Sequence, residues 1–264
     1  MTPTRAIVLC AGQGQRLRPF TDAVPKCLVP VRGRPILEWT LRALRIAGID
    51  DVRLVTGWRD ETLVPWGLPT RRNERFESTN MVASLLTAGE WLDGRVIVVY
   101  GDIVTHPDTF RVVTTSLQDD VVVPVNSAWL ALWQERMSDP LADAETLRVD
   151  RNGCLREIGK KPRTLDDVQG QFMGVVGFPG SMMSALRARF DLERLVDRRT
   201  GADISRMWMT DLVQQLVDEG HCVRAPSVEG GWFEIDTSDD LAATSSTASV
   251  VEAAFSWWPA EGPG

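Results

Sequence analysis

The chain has 264 residues, 44% of them apolar and 25% charged, with a formal net charge of −7. This is the composition of an ordinary folded protein, long enough for one large α/β domain or two small ones with a sizeable core. The acidic balance argues against a nucleic-acid binder, which would normally be basic. No apolar run approaches the length of a membrane span.

The first apolar run, Ala6 to Cys10, ends at a glycine loop and reads as a strand buried on both faces. With Ala11 it is still too short for the core of a secretion signal, so a cytoplasmic protein is expected. Residues 35–49 carry Ile36, Leu37, Leu41, Leu44 and Ile49 near helical spacing, with Gly48 as a stop. A strand at 52–58 follows, then a helix over 78–92 with Ser78 or Thr79 as N-cap. Residues 95–102, RVIVVYGD, form another buried strand that ends on an acid. This alternation predicts an α/β fold with a doubly wound, mainly parallel sheet and ligands at the C-terminal ends of its strands.

The second half changes character. Residues 146–158 predict a hairpin turning at Asn152-Gly153, and residues 170–178 a strand interrupted by glycine. Residues 209–220 form a helix stopped at Gly220, and residues 230–236 a last strand. Thr237 or Ser238 then caps a closing helix reaching about Phe255. Residues 256–264 look like a loose tail, although Trp257 and Trp258 are unusual in such a tail and are candidates for docking. With no repeat or linker, residues 1–255 are expected to be one domain, in two halves over about 1–125 and about 126–236. The four cysteines, Cys10, Cys27, Cys154 and Cys222, show no C-x-x-C pair or zinc spacing and are expected to be reduced, buried thiols rather than a disulfide framework.

The chemistry concentrates at the loop after the first strand. Gly12-Gln13-Gly14-Gln15-Arg16-Leu17 has Leu17 where a dinucleotide fingerprint needs glycine, and Cys27 follows Lys26 where a Walker loop needs Ser or Thr. The continuation carries more information: Arg16-Leu17, Pro19, Thr21, then Pro25-Lys26, Leu28 and Pro30-Val31. Glycines let backbone amides approach phosphate oxygens. Arg16 supplies a forked donor and Lys26 a compact charge, while the prolines stiffen the loop. Together these are the parts of a triphosphate clamp.

That whole string resembles the nucleotidyltransferases that activate sugar 1-phosphates and related phosphates with a nucleoside triphosphate. The resemblance covers nearly the whole chain and implies a Rossmann-like sheet with a hairpin-containing insertion for the acceptor, the half over about 1–125 binding the nucleotide and the half over about 126–236 the acceptor. It matches Arg16 and Lys26 to the family's catalytic cations, and it implies nucleotide contacts from Leu9, Ala11, Gly12, Gly14, Gln15, Asn80 and Gly101. A nucleoside triphosphate brings a need for Mg²⁺ and hard oxygen ligands. The family's two metal-binding aspartates match Asp102 and Asp236, each following a predicted strand. Read without the family, Asp102 is a turn acid and Asp236 a helix cap. His106 reads as a solvated loop histidine.

Further strings narrow the resemblance: Trp129, Trp133, Gln134 and Arg136; Asp143 to Leu147; Glu157 to Pro162; Gly170 to Gly174; and Thr79-Asn80-Met81. They are similar to the phosphocholine and, more closely, the 2-aminoethylphosphonate cytidylyltransferases. The implied reaction is transfer of CMP from CTP to a small phosphonate of the aminoethyl or hydroxyalkyl type, with phosphocholine and sugar 1-phosphates as alternatives and a non-catalytic nucleotide-binding regulator as the other class. Lys161 is a candidate for the acceptor's anionic head, Asp143 and Glu145 for an amine, Trp129 or Trp232 for a choline-like cation, and Gly174 for the acceptor wall. Equally, Asp143 and Glu145 suit a surface loop, and Trp129 and Trp133, four apart, suit one helix face against the core. The expected partners are the nucleotide and the small acceptor, with no nucleic acid and no membrane. A homodimer would follow from exposed tryptophans.

Overall fold

In the computed structural model, which describes residues 3–258, the chain builds a seven-stranded sheet. From edge to edge its strands are Val223–Arg224, Val121–Val122, Val175–Phe178, Arg95–Tyr100, Thr4–Cys10, Asp51–Thr56 and Thr70–Arg72. Only Val175–Phe178 runs against the others, pairing antiparallel with both neighbours. The sheet is therefore mainly parallel but mixed.

Its double winding follows from side-chain alternation. Ala6, Val8, Ile97 and Val99 join the apolar cluster on one face, whereas Ile7, Val96 and Val98 join the cluster on the other. A strand buried on both faces has no polar side to show, which is why these segments read as unbroken apolar runs. The helix Ile36–Ile46 buries Ile36, Leu37, Trp39, Thr40, Ala43 and Leu44, and Gly48 follows it in the left-handed region.

The hairpin pairs Leu147–Val149 with Leu155–Ile158. The strand predicted over 170–178 breaks into Gln171–Phe172 and Val175–Phe178 around Gly174.

Several local expectations need correction. The helix after residue 78 is Met81–Thr87, and Asn80, not Ser78 or Thr79, occupies its N-cap position. Thr79 instead turns back, donating from its hydroxyl to Arg75 O at 2.8 Å. The last strand, Trp232–Glu234, is not in the central sheet but pairs antiparallel with Ile103–Thr105 in a separate ribbon. The closing helix is two helices, Ser238–Ala243 and Ser249–Phe255. Thr237 does cap the first of them, with its hydroxyl accepting from the Asp240 backbone at 3.2 Å. Of the expected tail, Trp257 and Trp258 dock edge-on against Trp39, with ring centroids 5.5 and 5.0 Å away; residues 259–264 lie outside the described residues. His106 is not simply a solvated loop residue: its ring accepts from Asp108 N at 3.2 Å at the head of the helix Pro107–Ser116.

The largest correction concerns the cysteines. Cys154 and Cys222 form a disulfide, with Cα atoms 5.5 Å apart across 68 residues of sequence. Cys154 lies in the hairpin and bridges to Arg224, two residues after Cys222, on the edge strand of the sheet. Nothing local in the sequence brings that hairpin to that edge. Cys10 and Cys27 remain buried free thiols, as expected.

Candidate active site

The C-terminal ends of the parallel strands open into a cleft of about 670 Å³. One wall is the passage from Leu9 to Arg16. Gly14 has a φ of +59°, and a Cβ there would lie 3.0 Å from the Thr21 methyl and 3.2 Å from Lys26 Cβ, so the residue is needed for the loop to fold onto the lysine. The Thr21 hydroxyl donates to Gly14 O at 2.8 Å and closes the turn. Gly101 is equally constrained, since a Cβ there would meet Leu9 O at 2.6 Å. The phosphate loop and the Asp102 turn can pass this closely only because residue 101 has no side chain.

The ribbon between Trp232–Glu234 and Ile103–Thr105 brings the two aspartates together. Glu234 lies opposite Ile103, and Ile235 N donates to Asp102 O at 3.0 Å, so Asp102 and Asp236 flank the end of one ladder. Lys26 Nζ sits between them, 2.7 Å from Asp102 Oδ2 and hydrogen-bonded also to Asp236 Oδ1. Arg16 reaches the other Asp236 oxygen at 3.0 Å while remaining largely exposed to the cleft. Burial alone would lower the Lys26 pKa, but Asp102, Asp236 and Glu234 outweigh it and hold the ammonium above its usual value.

Glu234 is a third carboxylate at this point. It stands two residues before Asp236, on the same side of the strand, and oxygen atoms of Asp102, Glu234 and Asp236 lie within 4.8 Å of one another. Burial, then the charges of Asp236 and Asp102, push its pKa well above the usual range. Its alternation with Asp236 was the available signal in the sequence. The donor set suits a hard divalent cation. Asp102 Oδ1 is buried without a hydrogen-bond partner, and the ammonium already held between the aspartates shows that the pocket accepts positive charge.

All the residues expected to touch nucleotide, Leu9, Ala11, Gly12, Gly14, Gln15, Arg16, Lys26, Asn80 and Gly101, border the cleft. Asn80 does so while its Nδ2 donates to Arg206 O at 2.8 Å, tying the helix entry to the far loop.

The acceptor candidates divide. Asp143, Glu145 and Gly174 border the cleft; Trp129, Lys161 and Trp232 do not. Trp129 packs edge-on against Trp133 at 6.1 Å and is buried in the core. Trp232 stacks on Trp133 at 5.8 Å, and its Nε1 donates to Met173 O at 2.8 Å. Lys161 turns away to donate to Leu141 O and Ala142 O, bracing the turn that leads to Asp143. The aromatic surface facing the cleft comes instead from Phe76, Tyr100, Trp133, Phe172 and the half-exposed Trp208. Trp129 and Trp133 share one helix face, so spacing alone could not select between them.

Glu145 is fixed through its backbone. Gln171 Nε2 donates to Glu145 O at 2.8 Å, and its Oε1 accepts from Glu145 N at 3.3 Å. Burial, followed by repulsion from Asp211 and Asp143, raises the Glu145 pKa above the usual carboxylate value. Tyr100, half-buried and edge-on to Phe172 at 5.6 Å, is likewise raised, first by burial and then by Asp102 and Glu234. The cleft is thus lined by Lys26 and Arg16 among the carboxylates of Asp102, Glu234 and Asp236, and also by Asp143, Glu145 and the aromatic side chains.

The MobA-like NTP transferase domain matches residues 6–164, well over half of the chain. The chain belongs to this family. As a nucleotidyltransferase it has close curated relatives. It is 30% identical over 250 residues to the CTP:phosphoglutamine cytidylyltransferase of Campylobacter jejuni, covering 89% of this chain and 97% of that one. It is 31% identical over 258 residues to the CMP-5'-(3-aminopropyl)phosphonate synthase of Streptomyces rubellomurinus, covering 90% of this chain but 38% of that longer protein. The nucleotidyltransferase also superposes on the CTP:phosphocholine cytidylyltransferase LicC of Streptococcus pneumoniae, with a TM-score of 0.66 and 19% identity over 91% of this chain and 96% of that one. For the inositol-1-phosphate CTP transferase of T. maritima the TM-score is 0.69 at 20% identity, over 96% and 95% of the two chains. These structural likenesses establish the fold.

Proposed function

We propose that this nucleotidyltransferase uses CTP to transfer CMP to a small aminoalkylphosphonate, releasing pyrophosphate. The supporting observation is the mixed polarity of the cleft, which is lined by Arg16 and Lys26 and also by Asp143 and Glu145, with Tyr100 and Phe172 among its aromatic side chains. An acceptor with an anionic phosphonate and an ammonium a few bonds away matches that polarity, and a neutral hydroxyalkyl tail matches it less well. Cytidine specificity is supported by the relatives that use CTP.

In the proposed reaction a phosphonate oxygen attacks the α-phosphorus of CTP in line. A new P–O bond forms as the bond to pyrophosphate breaks, and the electron pair leaves with the pyrophosphate oxygen. The nucleophile is already an anion, so no general base is required. The barrier is the approach of two anions, and positive charge lowers it. Lys26 would leave its aspartate partners for the α-phosphate and the incoming oxygen, and Arg16 would take the β- and γ-phosphates. Asp102 and Asp236, with Glu234 beside them, would hold Mg²⁺, which supplies further positive charge at the phosphates. Glu145 and Asp143 would hold the ammonium so that the phosphonate points toward Lys26.

A second acceptor, phosphocholine, is favoured by one observation. Trp133, Tyr100, Phe172 and Trp208 in the cleft offer the aromatic faces that a quaternary ammonium prefers. A panel of CTP, UTP, ATP and GTP against 2-aminoethylphosphonate, 2-hydroxyethylphosphonate, phosphocholine and glucose 1-phosphate, read as pyrophosphate release, separates the readings. The aminoalkylphosphonate should give the highest kcat/KM with CTP. A response to the sugar phosphate alone would sink the proposal.

A further inference from the structure

Behind the cleft lies a charged pair that the reaction does not use directly. Arg136, 2% exposed, donates from Nε to Asp240 Oδ1 at 2.8 Å, and Asp240 is itself 7% exposed. The other Asp240 oxygen accepts from Asp236 N at 3.0 Å, from Thr237 N at 2.9 Å and from the Thr237 hydroxyl at 2.9 Å. The carboxylate therefore fixes the backbone on which Asp236 is carried. On its other side the Arg136 guanidinium lies over the Trp133 ring at 4.9 Å and the Phe233 ring at 5.5 Å. Trp133 is one of the two tryptophans that border the cleft, the other being Trp208.

Stability is a poor reason for this arrangement. Arg136 Nη1 is buried without a hydrogen-bond partner, as is Trp133 Nε1, and each unpaired buried donor is costly. A buried ion pair is often no better for stability than apolar residues of the same volume. We propose that Arg136 and Asp240 are positioning residues for nucleotidyl transfer, a single rigid link that sets Asp236 in the triphosphate wall against Trp133 in the acceptor wall. The guanidinium suits this task because one planar group can bond a carboxylate at its edge and stack on an aromatic face.

The test compares the full-length enzyme with Arg136→Met, Asp240→Asn and the double variant. One arm uses ¹H–¹⁵N NMR spectra of the free proteins. Because the link is shared, Asp240→Asn should shift the Trp133 indole signal as well as the Asp236 amide, and Arg136→Met should shift both. The other arm is turnover of CTP with 2-aminoethylphosphonate. Either single variant should lower kcat about tenfold or more when assayed well below its own melting transition, which the unpaired buried charge lowers, with the KM for CTP within about threefold. The double variant should be no slower than the worse single. Independent, multiplying losses would overturn the proposal, as would an Asp240→Asn spectrum in which the Trp133 indole does not move. Should Arg136→Met fail to fold, the Asp240→Asn spectrum and kinetics decide the matter alone. Should 2-aminoethylphosphonate prove inert with the unaltered enzyme, the acceptor assignment fails while the spectra still decide the link.

Discussion

The wall of the cleft that carries Arg16 is one continuous passage of backbone, residues 9–16, held at a single turn by Gly14 and Thr21. The opposite wall is assembled from side chains on separate segments: Trp133 from one helix, Asp143 and Glu145 from the loop before the hairpin, Gln171 and Phe172 from a short strand, and Trp208 from the head of another helix. A wall made of local backbone keeps its shape by turn chemistry. A wall of convergent side chains depends on distant packing, and it can change its ligand by changing one residue. That difference explains how one phosphate loop serves a family with many acceptors.

Experiments that test the comparison run from large effects in the first wall to small ones far from either. Lys26→Ala should lower kcat by about 100- to 1,000-fold with the melting temperature preserved; near-normal pyrophosphate release would remove the lysine from the mechanism. Asp236→Asn and Asp102→Asn belong in the same range, and isothermal titration with Mg²⁺ should show weakened binding in both. In the second wall, Glu145→Gln should raise the KM for 2-aminoethylphosphonate about tenfold or more and leave that for CTP unchanged. If both constants rise together, the two walls are not separable in the way drawn above.

The disulfide offers a milder perturbation of the acceptor side, since it ties the hairpin to the edge strand. Cys154→Ser should cost about 2–5 kcal/mol of unfolding free energy, read by urea denaturation. An unchanged midpoint under non-reducing conditions would mean the link adds nothing.

The smallest effect is a pH dependence. Buried Asp197 is pushed up by burial but more than compensated by its contacts with Arg189, at 2.7 Å through Nη2, so its pKa in the fold is lowered. Its stabilising contribution is therefore present above the unfolded aspartate value, about 3.9, and is lost as the pH falls through the lower folded value. The difference in melting temperature between the wild type and Asp197→Asn should shrink over that acidic window and stay constant at neutral pH.

Much of the fold was legible because its signals are local. Ala6 to Cys10 and Arg95 to Tyr100 are apolar on both faces, and the glycines after them can only be turns. The break at Gly174 and the hairpin turn before Gly153 were legible for the same reason. The geometry of the carboxylate cluster was half legible. Two acids following strands could be picked out, but Glu234 joined them only through a ribbon whose partner strand lies some 130 residues away, as the pairing of Glu234 with Ile103 shows.

What the sequence by itself determined is the phosphate loop, Lys26 and the alternation that winds the sheet, because turn residues and side-chain periodicity act over a few positions. What only the tertiary structure decided is which tryptophans border the cleft, where Lys161 turns, that Cys154 meets Cys222, and that Arg136 joins Asp240. Those choices rest on contacts between segments tens to a hundred residues apart, whose free energy is realised only once the sheet has brought them together.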